Sequence, residues 1–330
     1  MVGDGKTKLK RLSGKATDAT TSEILLDNFI NFYDWGLLDA GGFYNIKMPQ
    51  TGIYGGDRHR LRLVDSPNYT AGQVWEGYRQ NWVWEGSGNI DGTVEQPIDI
   101  SGVYVDSTFY PTGNLTKPFY VDYKLGRVVF DSAQATTSNV QVEYSHKRVQ
   151  VVPAEGISWI RQLQQNSFRN EADFQIQGSG GWAQLGQTRV QLPAIAVEVV
   201  PAVNTKPYQL GGGQWVHSDI VFYIITENHW ECVNLVDTIV SQNDRSIMLY
   251  DTTRVAASGV SPFTFENGKE RELRGHANPS GLYPNLVDNF RIDGGAGKCW
   301  ITDTRGGDIT QLSPDLYMGV TRCTTEVGPL

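Results

Sequence analysis

The segment from Leu192 to Asp251 constrains the fold of this chain more than any other part. It contains an apolar run LPAIAVEVV, a polar connector, a second apolar run HSDIVFYIIT, a helix-like stretch and a short run SIMLYD. Apolar residues at helical spacing between strand-like runs predict a small sheet covered by a helix. We expect this helix from His229 to Gln242, with Asn228 as its N-cap. Its predicted apolar face consists of Trp230, Val233, Leu235, Val236, Ile239 and Val240.

The composition favours a strand-rich protein that associates with neighbours. The 330 residues include 36 Gly, 9 Trp, 15 Tyr and 12 Phe. Aromatic strand formers and glycine turns are typical of β-rich proteins. Charged residues are only 19% of the chain, which is below the usual quarter. Such a surface suits a subunit whose flanks are covered by other subunits.

The distribution of charge singles out the N-terminus. The net charge of −8 argues against general binding of nucleic acid. Residues 1–21, however, carry Lys6, Lys8, Lys10 and Arg11 and predict a basic arm. The arm is either solvated, or it docks on an acidic neighbour or on DNA.

The cysteines indicate a reduced environment. Cys232, Cys299 and Cys323 form no metal-binding spacing, and an odd number is a poor framework for disulfides. We expect no signal peptide and no membrane association, because the N-terminus lacks an apolar core and no apolar run approaches 18 residues.

Residues 22–97 are predicted to hold one helix followed by an aromatic, turn-rich segment. Ser22 is the expected N-cap, and the helix is expected to end near Trp35 and Gly36. Apolar residues recur in it at helical spacing, which predicts either a core contact or a subunit interface. This stripe includes Leu25, Phe29 and Phe32.

An aromatic patch lies in the second half of that segment. It consists of Trp75, Tyr78, Arg79, Trp82 and Trp84. Aromatic rings beside a guanidinium group suit a platform that binds a sugar. The same residues also suit a small packed core or a contact with a partner protein.

Residues 98–152 are predicted to form an antiparallel β-module, either a sandwich or a barrel. Two strand-like runs flank the turn at Gly126, which is expected to adopt a positive φ. Val140, Val142 and Tyr144 alternate with polar residues, as in a strand with one buried face.

Two further segments complete the chain. Residues 153–251 are predicted to form an α/β core interrupted by a Gly-rich loop at 177–186. Residues 252–330 lose clear periodicity apart from a strand near Cys299, and they are expected to be an irregular extension that orders on adjacent subunits. The predicted class is therefore α+β and β-rich, with an N-terminal helix, the β-module, a sheet packed on one helix, and extended arms.

The chain contains no motif for catalysis. The nucleophile elbow, the HExxH pair and the Walker sequence are all missing, and the five His have no metal-ligand spacing. His217 and Asp219 share one face of a strand, which indicates a hydrogen-bonded surface pair or an oriented imidazole. We expect no enzymatic activity, no cofactor and no metal.

The order of these segments resembles virion structural proteins of tailed bacteriophages. The resemblance covers about residues 22–251 and includes FYDWGLLDAGGFYN, the hairpin YVDYKLGRVVFDS, QLPAIAVEVV, VHSDIVFYIITEN and LVDTIVSQNDRSIMLYD. The strand with Leu192, Pro193, Ala194 and Ile195, the second strand, and the helix Trp230–Gln242 look like the α/β core of tail-terminator and neck-connector proteins.

This resemblance implies a subunit that forms a ring of six or twelve copies in the neck of the virion. Its partners would be other copies and other neck, portal or tail proteins, with viral DNA passing nearby and no membrane involved. Assembly would take place in the cytoplasm of the host bacterium. The extra β-module departs from a minimal terminator and favours a neck or collar protein.

Strand pairing and exchanged arms would hold such a ring together. The alternative is a baseplate, fibre or appendage protein that binds host-surface glycan through the aromatic patch. A glycan-degrading virion enzyme would need a pair of catalytic acids that the sequence does not reveal. The candidate interface residues are Lys6, Lys8, Lys10, Arg11, Leu25, Phe29, Phe32, Ile195, Val197, Ile220 and Phe222.

Overall fold

The computed structural model describes residues 20–48, 58–83, 96–123, 125–154, 191–200, 204–209, 212–258, 289–292 and 297–328. The predicted basic arm, apart from its last two residues, and the Gly-rich loop at 177–186 lie outside these ranges. The protein is α+β and strand-rich, as predicted. The described helices are α1 (Thr21–Asp39), α2 (His229–Val240) and α3 (Thr252–Ser258). The strands are β1 (Phe43–Ile46), β2 (Arg62–Leu63), β3 (Val74–Glu76), β4 (Gly102–Val105), β5 (Thr108–Pro111), β6 (Phe119–Asp122), β7 (Arg127–Phe130), β8 (Val140–Gln141), β9 (Tyr144–Lys147), β10 (Gln150–Pro153), β11 (Ala194–Val199), β12 (Asn204–Gln209), β13 (Gly212–Thr226), β14 (Ser246–Met248), β15 (Lys298–Ser313) and β16 (Leu316–Val327).

A seven-stranded main sheet organises the C-terminal half. Its order is β10-β11-β13-β16-β15-β14, and β12 also pairs with β13. Strand β13 pairs with β16 along one edge and with β11 and β12 along the other. All of these pairings are antiparallel except that of β10 with β11.

Both α1 and α2 pack against the same face of the main sheet. The side chains at this junction are apolar and fully buried, including Phe29, Ile195, Phe222 and Ile239. Burying such side chains is the main force that holds the helices on the sheet, at roughly 1.5–3 kcal/mol for each one. The predicted sheet packed on one helix is thus packed on two.

Helix α1 begins two residues earlier than the predicted cap at Ser22 requires, and it ends later than the predicted stop at Gly36. Its N-cap is Thr20, whose hydroxyl accepts a hydrogen bond from the Glu23 N–H at 3.2 Å, while the Glu23 carboxylate accepts one from the Thr20 N–H. This capping box satisfies two N–H groups that Ser22 would leave exposed. The helix also continues through Gly36 to Asp39, because the buried Leu38 anchors its last turn.

The β-module contains the predicted hairpin but begins earlier in the chain. Strands β6 and β7 pair across a turn in which Gly126 has a φ of 64°, which confirms the prediction. Val140, Val142 and Tyr144 are fully buried, as their alternation predicted. Strand β3 pairs with β7 in the sheet β2-β3-β7-β6. The predicted boundary between residues 97 and 98 therefore divides a single sheet.

The prediction of an irregular C-terminal extension is wrong for residues 298–327. Strands β15 and β16 form a long hairpin, and β16 lies in the middle of the main sheet. The distal half of β15 is solvent-exposed, so its sequence is polar and lacks an apolar alternation. Gly319 lets α2 approach closely, because a Cβ there would lie 2.8 Å from Val236 Cγ2.

Candidate functional site

The face of the main sheet that points away from α1 and α2 is only half-covered. Along β13, Ile220 and Phe222 point to the helices and are fully buried. Val221 and Tyr223 point the other way and are partly exposed, as alternation in a strand requires. None of the described helices covers this side of the sheet. We call this surface the open face. Its partly or fully exposed members include Trp215, His217, Asp219, Val221, Tyr223, Trp300, Met318, Val320, Arg322, Thr324 and Glu326.

Charged side chains on the open face neutralise one another. Asp219 accepts hydrogen bonds from Arg322 and, at 2.8 Å, from the Thr324 hydroxyl. Partial burial acts to raise the pKa of Asp219, but these two hydrogen bonds outweigh it and hold the pKa below its usual value. The Nδ1 atom of His217 lies 3.3 Å from a carboxylate oxygen of Glu326. His217 and Asp219 therefore share a face, as predicted, and each has its own partner.

Aromatic rings occupy one end of the open face. The Trp215 and Trp300 rings meet edge to face with their centroids 5.4 Å apart. The Lys298 ammonium group lies 5.2 Å from the Trp300 ring centroid, within the range of a cation–π contact. At the other end, the Tyr223 hydroxyl donates to Glu198 at 2.9 Å. The surface is thus amphipathic, with large apolar groups between internally paired charges.

Trp230 is a second exposed feature, at the start of α2. The prediction placed it on the apolar face of the helix, but 76% of the residue is exposed. The buried residues of α2 are Cys232, Leu235, Val236 and Ile239, and Trp230 is out of phase with that stripe. Helical phase, rather than apolarity alone, is the sequence signal that would have identified it.

The predicted interface residues inside the described ranges are mostly core residues. Leu25, Phe29, Ile195, Val197, Ile220 and Phe222 are each fully buried within one chain. The prediction that they form a subunit interface is therefore wrong, because α1 and the sheet already cover one another. Phe32 is partly buried at the edge of that core. Lys6, Lys8, Lys10 and Arg11 lie outside the described residues.

The predicted aromatic patch is largely internal to the β-module. Trp75 and Trp82 are 3% and 1% exposed, and the Trp82 ring stacks on Tyr144 at 4.2 Å. These two rings are therefore parts of a packed core and not of an open platform. Tyr78 and Arg79 are partly exposed, while Trp84 lies outside the described residues.

The side chains around Tyr78 form a basic and aromatic cluster. The Arg58 and Arg79 guanidinium groups lie 5.0 and 5.4 Å from the Tyr78 ring centroid, and Tyr44 is 52% exposed nearby, against His146. Burial lowers the pKa of His146 to about 3, and the positive charges of Arg79 and Arg58 contribute. His146 is thus a neutral ring at physiological pH.

Metal-binding groups, cysteine chemistry and membrane-spanning helices can each be checked in the part of the chain that the structure describes. Among them, no three His, Cys, Asp or Glu side chains form a group that would hold a metal ion. Cys232, Cys299 and Cys323 are buried, and burial raises the pKa of each thiol, which keeps them protonated and unreactive. None of the described helices has the length and apolarity needed to cross a membrane.

Comparison with known proteins gives no indication of function. No family model, no curated protein and no solved structure matches this chain.

Proposed function

We propose that this chain is a structural subunit of a tailed-phage virion. In this proposal it forms a ring in the neck, as a tail-terminator, connector or collar protein that joins head and tail and keeps the DNA channel open. The observation that carries the proposal is the open face of the main sheet. The sequence resemblance to phage virion proteins supplies the biological setting.

The open face has the character of a surface that meets other protein. A sheet face exposed only to water is normally polar, but this one presents partly exposed Val221, Met318 and Val320. Interfaces between subunits combine such apolar groups with aromatic residues and arginine, which Trp300 and Arg322 provide here. Contact with a neighbouring copy would remove these groups from water.

The charge pattern of the open face also suits proximity to DNA without tight binding. The positive charge of Arg322 is paired with Asp219, and His217 faces Glu326. Phosphate binding depends on unpaired basic groups that displace counterions. Paired charges at the edge of such an interface would therefore not hold DNA that passes nearby.

The exposed Trp230 offers a further contact between copies. A large aromatic side chain that is 76% exposed is a typical anchor of a protein interface. It lies on a rigid element, because the Asn228 side chain caps α2 by accepting from the Trp230 N–H at 2.9 Å.

Native mass spectrometry of surface variants tests this proposal. Val320→Glu places an unpaired charge on the open face, and Trp230→Ala removes the exposed ring, so both should shift the protein toward smaller species. Leu115→Ala is the matched control, because Leu115 is 95% exposed and belongs to the β-module. Native-like assemblies for both V320E and W230A would contradict the proposed interface.

The alternative is an appendage protein that binds host-surface glycan. The observation that favours it is the cluster of Tyr44, Tyr78 and Arg79, whose rings and guanidinium group reach the surface. Binding to host glycans that is lost in both Tyr44→Ala and Tyr78→Ala, with assembly unchanged, would support it. Trp75→Phe serves as a control for the buried part of the patch.

A further inference from the structure

A groove separates α1 from α2 on the covered face of the main sheet. It encloses about 380 Å³ between the C-terminal half of α1, the two residues that precede β10, and one side of α2 and the turn that follows it. Small-molecule sites in proteins typically enclose about 300–1,000 Å³, so the groove has the size of a site for a small ligand. We call it the α1/α2 groove.

One part of the α1/α2 groove is apolar. Phe32 and Leu37 contribute from α1, Leu235 contributes from α2, and Val149 forms part of the floor. Val149 and Leu235 are buried, whereas Phe32 and Leu37 are partly exposed to the groove. This wall suits the hydrocarbon body of a ligand.

The groove also contains a cation, Arg245, whose side chain contacts an aromatic ring and an amide group. The Arg245 guanidinium group lies 5.1 Å from the Phe32 ring centroid and donates to the Gln242 side-chain oxygen at 2.7 Å. Within the described ranges, Arg245 makes no ion pair. Arg148 at the opposite end is different, because its charge is paired with Glu231 at 2.9 Å. Among its described lining residues, the groove therefore carries one positive charge that is not part of an ion pair.

A buried hydroxyl group provides a second donor. Tyr33 lines the groove and is only 3% exposed, and its buried hydroxyl has no hydrogen-bond partner among the described residues. Native proteins rarely leave such a group unsatisfied. Burial raises the pKa of Tyr33, the Cys323 thiol beneath it adds to the effect, and the charge of Arg245 acts in the opposite direction, so the hydroxyl keeps its proton and can donate. An acceptor in the groove would satisfy it.

We propose that the α1/α2 groove binds a small organic acid. Its carboxylate accepts hydrogen bonds from the Arg245 guanidinium and the Tyr33 hydroxyl, and its apolar body lies against Phe32, Leu37 and Leu235. A carboxylate matches this pair of donors because guanidinium–carboxylate hydrogen bonds are among the strongest that proteins form. The site lies on the covered side of the sheet and does not depend on the proposed ring.

Isothermal titration with two matched probes tests the proposal. The probes are 3-phenylpropionate and its neutral analogue 3-phenylpropan-1-ol, which differ at the group that would meet Arg245. The acid should bind saturably and at least about tenfold more tightly than the alcohol, in line with the strength of a charged hydrogen bond. Equal affinity for both probes, or no saturable binding of the acid at millimolar concentration, would overturn it.

Three variants locate the binding in the groove. Arg245→Gln should abolish the preference for the acid, and Tyr33→Phe should weaken binding of the acid by roughly 2- to 10-fold. Arg305→Gln is the control, because Arg305 is an 80%-exposed arginine of β15 and takes no part in the groove. Thermal unfolding and circular dichroism verify that each variant is folded. Binding of the acid to folded R245Q with unchanged affinity would also overturn the proposal.

Discussion

Glu76 and Arg127 form an ion pair inside the β-module, where neither side chain reaches solvent. The two residues lie directly opposite each other on β3 and β7. Two guanidinium nitrogens of Arg127 donate to the same carboxylate oxygen at 2.9 and 3.1 Å, and the side chains are 2% and 0% exposed. The pair favours the observed register of the two strands, because a shift by one residue would separate two buried opposite charges.

Removing one partner of this pair should lower the free energy of unfolding far more than removing both. Arg127→Met leaves the Glu76 carboxylate buried without the guanidinium group that balances its charge, and we expect the free energy of unfolding to fall by about 3–5 kcal/mol. The double variant Glu76→Leu with Arg127→Met should recover much of that loss. Urea denaturation measures both. Arg305→Gln breaks a surface pair with Asp303 that is largely exposed and should have little effect. A loss in R127M no larger than that in R305Q would refute the structural role of the pair.

Asp27 on α1 should make stability depend on pH in the direction opposite to most carboxylates. Burial raises its pKa to about 6, and the negative charge of Glu23 adds to the effect. The folded state then binds a proton more tightly than the unfolded state, whose pKa is 3.8. Asp27 therefore leaves the free energy of unfolding unchanged at low pH and lowers it as the pH rises from about 4 to about 6.

Asp27→Asn tests this dependence, because asparagine keeps the shape without the charge. We expect the variant to be more stable than the native protein by about 1–3 kcal/mol near pH 7.5, and by much less near pH 4. Chemical denaturation across that pH range gives the difference directly. A difference that is constant with pH would show that the carboxyl group titrates normally.

At the scale of elements, local patterns were predictable and distant pairings were not. The helix at 229–240, its cap at Asn228 and the turn at Gly126 were all predicted, because each depends on residues close together in sequence. The β15–β16 hairpin was missed, since its distal half is exposed and its partner β13 lies about 100 residues earlier. Gly319 of β16 also packs closely against Val236 of α2, a contact that no local pattern in 298–327 reveals.

The same reason limits what the sequence revealed about the site. Apolar residues such as Phe29 and Ile220 were correctly recognised as buried, but sequence periodicity does not distinguish burial within one chain from burial between chains. The open face was not predicted, because it depends on which side of the sheet α1 and α2 both occupy. The α1/α2 groove was not predicted either, because Tyr33 and Arg245, which both line it, are distant in sequence.

The start of α1 provides a direct test at the scale of an element. Thr20→Ala removes the hydroxyl that accepts from the Glu23 N–H and should lower the free energy of unfolding by about 1 kcal/mol. Ser22→Ala alters the residue that the sequence alone suggested as the cap, and it should change stability by less than about 0.5 kcal/mol. Thermal denaturation of the two variants side by side measures the difference. A larger loss in S22A than in T20A would place the helix start at Ser22 instead.

At the scale of the whole molecule, the two faces of the main sheet differ in how far they are buried. The face beneath α1 and α2 holds the core of the chain, including Phe222 and Ile239. The open face is amphipathic and internally charge-paired, which suits contact with further copies. The net charge of −8 would keep unassembled subunits soluble. We therefore propose the open face and Trp230, rather than the apolar residues of α1, as the assembly surface.

The symmetry of the purified protein tests the proposed ring most directly. Native mass spectrometry combined with negative-stain class averages gives both the number of copies and the shape of the particle. We predict a closed six-fold or twelve-fold ring with a central hole, formed by the protein alone or on a tail or portal partner. An elongated three-fold particle, or a monomer that forms no ring with either partner, would contradict the proposal.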